Sequence, residues 1–298
     1  MPARRWPPAA WFLLAGIPLL LFFVLYGLPV LQLFRLSFDR FDPGQGIIPA
    51  FSADFYTKFL GDGYYLSILW RTVRISLATT AIAALIAYPV SFYLLASSGW
   101  RQTLLLIVLI LPLVTSVIVV SYGWLILLGQ TGLANRTLID LGLTTRPLKL
   151  MYSETGILVA LVQVQLVFMV LSVSTSLRGV DSNLIRAARS LGAGAWRAFW
   201  LVVFPLSLPG LRTGALLVFS LSMSAYGIPA LIGGPRVKVL SYLIYEQSIS
   251  LLNWPFAASM AVILLASTTG LLGLAGLWRR LRRRRVPPAT PAPMGAAA

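Results

Sequence analysis

Long apolar stretches, separated by single charged residues or short charged clusters, dominate the chain. A helix needs about 20 apolar residues to cross a hydrocarbon core of about 30 Å, and six intervals between successive charged residues can each hold one such helix. The intervals separate Arg5 from Arg35, Arg74 from Arg101, Arg101 from Arg136, Glu154 from Arg178, Arg212 from Arg236, and Glu246 from Arg279. The pattern predicts spanning helices near residues 11–34, 69–97, 103–128, 155–176, 208–231 and 254–278.

The predicted fold class is an all-α integral membrane protein with six transmembrane helices. The apolar runs show no strict alternation, which argues against a transmembrane barrel. Composition agrees, because 58% of the residues are hydrophobic and only 11% are charged, whereas a soluble domain has about 25% charged residues.

The distribution of charge predicts the orientation. Lys and Arg number 24 against eight Asp and Glu, a net charge of +16 that would suggest nucleic acid in a soluble protein. With the N-terminus inside, the inner segments carry thirteen basic residues and one acidic residue, as the positive-inside rule requires. The arginine-rich segment 279–285 is then an anchor against an anionic leaflet, with a nucleic-acid or lipid-binding patch as the alternative. The Pro- and Ala-rich end is predicted to be disordered.

Several kinds of chemistry are excluded by what the sequence lacks. It contains no His and no Cys, which removes zinc sites, thiol nucleophiles and disulfides. No Asp, Glu or Lys lies inside the six predicted spans, although ion-coupled transporters and proton pumps usually need ionisable groups there. An ion-coupled secondary transporter and a membrane-embedded enzyme or assembly factor are therefore the weaker alternatives. If the chain moves a solute, the energy should come from a partner.

The long inner loop, residues 177–207, contains a predicted short amphipathic helix. Asp181 or Ser182 is a suitable N-cap for a helix over 183–191, and Gly192 ends it. Leu184, Ala187, Ala188 and Leu191 recur at helical spacing and form one apolar face. Such a helix either inserts into a groove on a soluble partner or lies on the lipid surface.

This loop resembles that of the inner-membrane permease subunits of binding-protein-dependent ABC importers. Their motif is Glu-Ala-Ala, three residues, Gly, nine residues, and Ile-x-Leu-Pro; here Ala187-Ala188 precede Gly192 by three residues, and nine residues separate Gly192 from Val202-Val203-Phe204-Pro205. Arg186 stands in place of the motif's Glu. We therefore expect Arg186 to pair with an acidic residue of the ATPase or to have no ion-pair partner there. The segments 224–235, 242–247 and 253–255 are most similar to spermidine/putrescine-type permeases.

The resemblance implies an organisation and a set of partners. Residues 1–10 would be a cytoplasmic N-terminus, 11–34 the first transmembrane helix, 35–68 a periplasmic loop, 69–278 a five-helix permease core and 279–298 a cytoplasmic tail, all in the bacterial inner membrane. ABC ATPase subunits, a second permease subunit and a periplasmic solute-binding protein would be partners, besides membrane lipid but not nucleic acid. The chain would bind no cofactor, and ATP would be used by the ATPase. The residues implied for ATPase coupling are Asp181, Leu184, Arg186, Ala187, Ala188, Leu191, Gly192 and Pro205.

Polar residues in or near apolar spans are candidates for a translocation path. They are Gln163, Ser220, Ser224, Tyr226 and Glu246. The alternative role for the Ser and Gln residues is hydrogen bonding between helices. Gln165 is a further candidate for either role. A polyamine cargo would need acids or aromatic rings, for which Glu246, Glu154, Asp140 and Tyr226 are the local candidates. This small supply leaves other solutes open, including ferric iron, a phosphonate or an amino-acid-like molecule.

Overall fold

The computed structural model describes residues 16–283, and their side chains as far as residue 277. Six helical segments within this range are long and apolar enough to cross a membrane, which confirms the predicted all-α membrane fold. The third of them, Val117–Asp140, consists of two consecutive helices. The predicted N-terminal segment 1–10, the side chains of the arginine-rich segment and residues 284–298 lie outside the described part.

The elements follow one another with short connections. In chain order the helices are α1 (Gly16–Leu36), α2 (Asp54–Gly61), α3 (Gly63–Ala96), α4 (Trp100–Val114), α5 (Val117–Leu128), α6 (Leu133–Asp140), α7 (Glu154–Arg178), α8 (Ser182–Ser190), α9 (Ala195–Ser224), α10 (Leu240–Tyr245) and α11 (Trp254–Arg283). Single π-helical turns lie within α1 and α9 and at Pro229–Gly233 and Glu246–Ser250.

Three helices, α3, α7 and α9, form the centre of the molecule and make its most extensive contacts. Their main apolar cluster includes Ala83, Ala87, Val170 and Val173, all fully buried. Glycine allows α9 to approach α7 closely, because a Cβ built on Gly214 would lie 2.7 Å from Met169 Sδ. Small residues such as Gly214 at a helix interface commonly allow membrane helices to pack closely.

The outer elements pack more loosely. None of the residues of α1 from Phe23 to Leu36 is buried, and α1 contacts mainly α11. The loop predicted over 35–68 contains an antiparallel hairpin, in which β1 (Arg40–Asp42) pairs with β2 (Gly46–Ile48), followed by α2. Helix α3 begins at Gly63, earlier than the predicted residue 69, because the Asp62 side chain accepts a hydrogen bond from the amide of Tyr64 and caps it.

The predicted third span, 103–128, is wrong as a single helix. The chain is extended at Thr115 and Ser116, which separates α4 from α5. Thr115 Oγ1 donates a hydrogen bond to the carbonyl of Leu111 (2.8 Å), a local bond that favours a helix end, and Pro112 removes one helical N–H just before it.

The predicted fifth span, 208–231, is wrong at both ends. Helix α9 begins at Ala195 and ends at Ser224, and Ala225 is extended. Pro205 is tolerated because it lies in the first turn after the π-helical segment. Arg212, the residue at which the uncharged interval begins, therefore lies well within α9, and Tyr226 lies beyond the end of α9.

Candidate functional site

The short helix α8 lies between the fourth and fifth spans and has well-defined ends. Asp181 is the N-cap: its Oδ1 accepts a hydrogen bond from the amide of Asn183 (2.8 Å). At the other end Gly192 has a φ of +83°, its amide donates to Arg189 O (2.9 Å) and the next amide donates to Ala188 O (3.0 Å). This pair of bonds is a Schellman motif, which requires a left-handed residue at Gly192. The predicted helix, its cap and its terminating glycine are confirmed.

One side of α8 is held by the protein and the other is free. Ile185 packs on the central apolar cluster, and Ala188 is half-buried. In contrast, Leu184 is 48% exposed and Leu191 is 88% exposed, and Ala187 is exposed. The predicted apolar stripe is therefore divided, with Ala188 turned towards the protein and the other three apolar residues available to a partner.

Arg186 forms hydrogen bonds with neighbouring residues of its own helix and no ion pair with an acidic residue of the described part of the chain. Its Nη2 donates to Asn183 Oδ1 (2.6 Å), and its carbonyl accepts from Ser190 Oγ (3.2 Å). Within residues 16–277, no carboxylate lies within ion-pair distance of it. An acidic ion-pair partner for Arg186 would have to come from outside residues 16–277.

An aromatic cluster that the sequence reasoning missed lies at the start of α9, shortly after α8, and joins α9 to α3. Trp196 and Trp200 have ring centroids 5.7 Å apart, and Trp200 lies 4.8 Å from Phe204. On the other side Tyr88 of α3 contacts Phe199 at 5.8 Å and shares a hydrogen bond with Ser207 (2.9 Å). The spacing of four residues between the first three rings was the available signal. Pro205 follows the cluster directly and is exposed.

The polar candidates for the path divide into separate groups. Gln165 is buried and accepts a hydrogen bond from Ser222 Oγ (2.8 Å), which joins α7 to α9. Gln163 is exposed and accepts from Trp124 Nε1 (3.0 Å). Ser220 and Ser224 donate to backbone carbonyls of their own helix, Leu216 O (2.8 Å) and Ser220 O (3.2 Å) respectively.

Three basic residues that the sequence reasoning missed, Arg71, Arg74 and Lys238, pair with Glu154 and Glu246 at the end of the molecule opposite to α8. Helix α7 runs about 37 Å from Glu154 to Arg178, next to α8. At its far end, Glu154 forms ion pairs with Arg71 (3.2 Å) and Arg74. Arg71 also donates to the carbonyl of Lys238 (3.3 Å).

The second ion pair joins Lys238 to Glu246. Lys238 Nζ lies 2.9 Å from Oε1 and 2.7 Å from Oε2 of Glu246. Burial lowers the pKa of Lys238, but the hydrogen bond and charge of Glu246 outweigh this effect and raise the pKa above its usual value. Tyr245, which precedes Glu246 in the chain, stacks on Tyr226 with ring centroids 4.6 Å apart. Tyr226 and Glu246 are thus the two path candidates that belong to one region.

No group of three or more acidic side chains that could hold a metal ion is found in the described part of the chain. The described geometry is that of a multi-pass membrane protein: a helical bundle with charged groups at one end and an anchored, half-exposed helix at the other.

The chain belongs to the family described as binding-protein-dependent transport system inner membrane component, whose model matches residues 80–285. It is 31% identical to the spermidine/putrescine transport system permease protein PotB of Haemophilus influenzae, over 82% of this chain and 84% of that one. The identity to PotB of Escherichia coli K12 is also 31%, over 86% and 92%. The molybdenum transport system permease protein ModB of Escherichia coli K12 is 34% identical over 53% of this chain and 69% of ModB.

Solved structures show the same fold. A bacterial ABC transporter involved in import of the acidic polysaccharide alginate superposes with a TM-score of 0.70 at 14% identity, covering 93% of this chain and 96% of that one. The same kind of transporter in complex with an alginate-pentasaccharide-bound periplasmic protein gives 0.72, covering 91% and 95%. The family and the fold together establish the chain as a multi-pass permease subunit of an ABC importer.

Proposed function

We propose that this chain forms, with a second permease subunit, the path for a small solute through the inner membrane, and that separate ATPase subunits drive it. The observation that carries the proposal is the division of α8: Ile185 fixes the helix on the central cluster, while Leu184 and Leu191 remain exposed. Exposed apolar side chains on a short, capped helix suit a cleft on a partner protein. Closure of the ATPase subunits would move α8 and, through Trp200 and Phe204, tilt α9.

The orientation follows from this assignment. If α8 docks on a cytoplasmic ATPase, both termini are cytoplasmic, and the Glu154 and Lys238 ion pairs face the periplasm. A periplasmic solute-binding protein would deliver the cargo at that end. The exposed surface of α1 is available to lipid or to the second permease subunit. Binding of ATP belongs to the ATPase, and the chain itself needs no cofactor.

A polyamine is the leading cargo. Its support is the 31% identity to two PotB proteins, which are spermidine/putrescine transport system permeases, together with the carboxylates and tyrosines at the periplasmic end. Glu154 is paired with two arginines and Glu246 with a single lysine, so Glu246, with the tyrosines near it, is the better of these two carboxylates for a cation.

An anionic solute such as a phosphonate is the second candidate. A cavity of about 440 Å³ at the same end is lined by Lys149, Arg236, Gln130 and Tyr152, with no acidic residue among its lining groups. Two positive charges without a negative one favour an anion.

Reconstitution tests the proposed function. The chain should copurify with an ATPase and a second permease-like chain, and vesicles containing this complex should accumulate [14C]putrescine only with ATP and a binding protein. Solute transport by the isolated chain without ATP would contradict the proposal and favour a secondary transporter. Uptake of a phosphonate instead of putrescine would support the assignment as a permease subunit but would show that the cargo is an anion and not a polyamine.

A further inference from the structure

The side chain of Lys238 lies in surroundings that would suit an amine ligand. Its ammonium group contacts both carboxylate oxygens of Glu246, at 2.9 and 2.7 Å, and lies 5.6 Å from the ring centroid of Tyr242. A carboxylate supplies charge-assisted hydrogen bonds to an ammonium group, and a tyrosine face adds a cation–π attraction. Together they form a small site for one primary amine.

Two of the three residues are aligned by helical spacing. Tyr242 and Glu246 are four residues apart on α10 and the π-helical turn that follows it, so they share one side. Lys238 lies two residues before α10, next to the extended Val239, and reaches the same carboxylate from there. Glu246 opens the π-helical turn Glu246–Ser250, a feature that is frequent at functional sites. The stacked rings of Tyr226 and Tyr245 adjoin the carboxylate along the chain.

The backbone around the site is held without the help of the ammonium group. Arg71 binds the carbonyl of Lys238, and the amide of Leu240 donates to the buried Thr72 Oγ1 (2.9 Å). Ser241 Oγ donates to the carbonyl of Ala225 (2.6 Å). The Lys238 side chain can therefore leave Glu246 while the segment that carries both residues stays in place.

The site is also accessible. The side chains of Lys238 and Glu246 are 22% and 29% exposed, so a ligand can reach the carboxylate once the lysine moves. Replacement of one ammonium group by another keeps Glu246 paired throughout, which avoids leaving a partly buried charge alone.

We propose that Glu246 and Tyr242 bind a primary ammonium group of the cargo, and that Lys238 occupies this site as a tethered substitute until an amine displaces it. The inference rests on the proposed function and specifies its cargo as a primary amine. It assigns Lys238 a role in selectivity: a solute without an ammonium group has nothing with which to displace it.

Equilibrium binding of [14C]putrescine to the purified importer complex, without nucleotide or binding protein, tests the site. Lys238→Met removes the competing ammonium group while keeping the length of the side chain, and Glu246→Gln removes the carboxylate. Asp54→Asn is the matched control, since it removes the carboxylate of the exposed Arg40–Asp54 pair at the same end. Lys238→Gln replaces Lys238→Met if the latter complex does not assemble.

The Lys238→Met complex should bind putrescine about tenfold more tightly than the unaltered one, because a tethered competitor acts at high effective concentration. Saturable binding should be absent from Lys238→Met/Glu246→Gln and unchanged in Asp54→Asn, and 1,4-butanediol should not compete. Equal binding by the unaltered and Lys238→Met complexes, or retained binding in the double variant, would overturn the inference. Because this assay needs no ATP, failure of ATP-driven uptake with binding intact would refute the proposed function alone.

Discussion

Gly210 of α9 packs directly against the carbonyl oxygen of Ser172 in α7, leaving no room for a Cβ atom. The contact is between backbones, so a flexible side chain cannot move aside to relieve a clash. It lies one helical turn from Gly214, which packs on Met169.

Gly210→Ala should therefore separate α7 from α9 and destabilise the protein by about 1–3 kcal/mol. Gly273→Ala is the matched control, because nothing lies within 4 Å of a Cβ placed there. Thermal unfolding of the two purified variants in detergent compares them. Equal midpoints would show that the close approach of α7 and α9 does not contribute to stability.

Gly192→Val should uncouple ATP hydrolysis from uptake. Its φ of +83° costs a β-branched residue about 1–2 kcal/mol, so the turn after α8 would change and α8 would dock poorly. Uptake per ATP hydrolysed should fall about five- to thirty-fold. Gly194→Val provides the comparison, since Gly194 has a φ of −64° and no atom within 4 Å of a built Cβ. A normal ratio of uptake to hydrolysis in Gly192→Val would contradict the role given to this turn.

Gln165 and Gln163 should behave differently when each is replaced by Leu. Gln165→Leu leaves the buried Ser222 hydroxyl without its acceptor and should reduce stability by about 0.6–1.7 kcal/mol, with the KM of uptake unchanged. Gln163→Leu, at an exposed position, should change stability by less than about 0.5 kcal/mol and raise the KM if Gln163 lines the path. A raised KM for Gln165→Leu with normal stability would reverse the two roles.

Replacement of the six arginines within residues 279–285 by Gln should reduce the fraction of chains inserted in the predicted orientation and leave substrate choice unchanged. The reason is that the positive-inside effect acts on insertion and not on the path. Protease accessibility in membrane vesicles measures the orientation. A changed substrate profile would refute the anchoring role.

Local signals made much of this fold predictable. Gaps between charged residues located the first, second, fourth and sixth spanning helices. The N-cap Asp181 and the terminating Gly192 located α8, since both act within one turn. The break at Thr115 was not predictable in this way, because apolar composition continues through it. The start of α9 at Ala195 was missed for the opposite reason, because Arg197 and Arg212 interrupt the apolar pattern of this helix. The packing of Ile185 and the pairing of Arg71 with Glu154 depend on segments distant in sequence. The pairing of Lys238 with Glu246 was not predictable from their spacing either, because Lys238 lies before the start of α10, next to the extended Val239.

Photo-cross-linking from α8 tests the central claim, that this helix docks on an ATPase, most directly. The chain contains no cysteine, so Leu191→Cys gives a unique attachment point for a benzophenone maleimide at a side chain that is 88% exposed. Leu60→Cys, 59% exposed on α2, is the control at the opposite end. In the assembled importer, an adduct with the ATPase subunit should form from residue 191 and not from residue 60. Absence of the residue 191 adduct, or an equal yield from residue 60, would contradict the account.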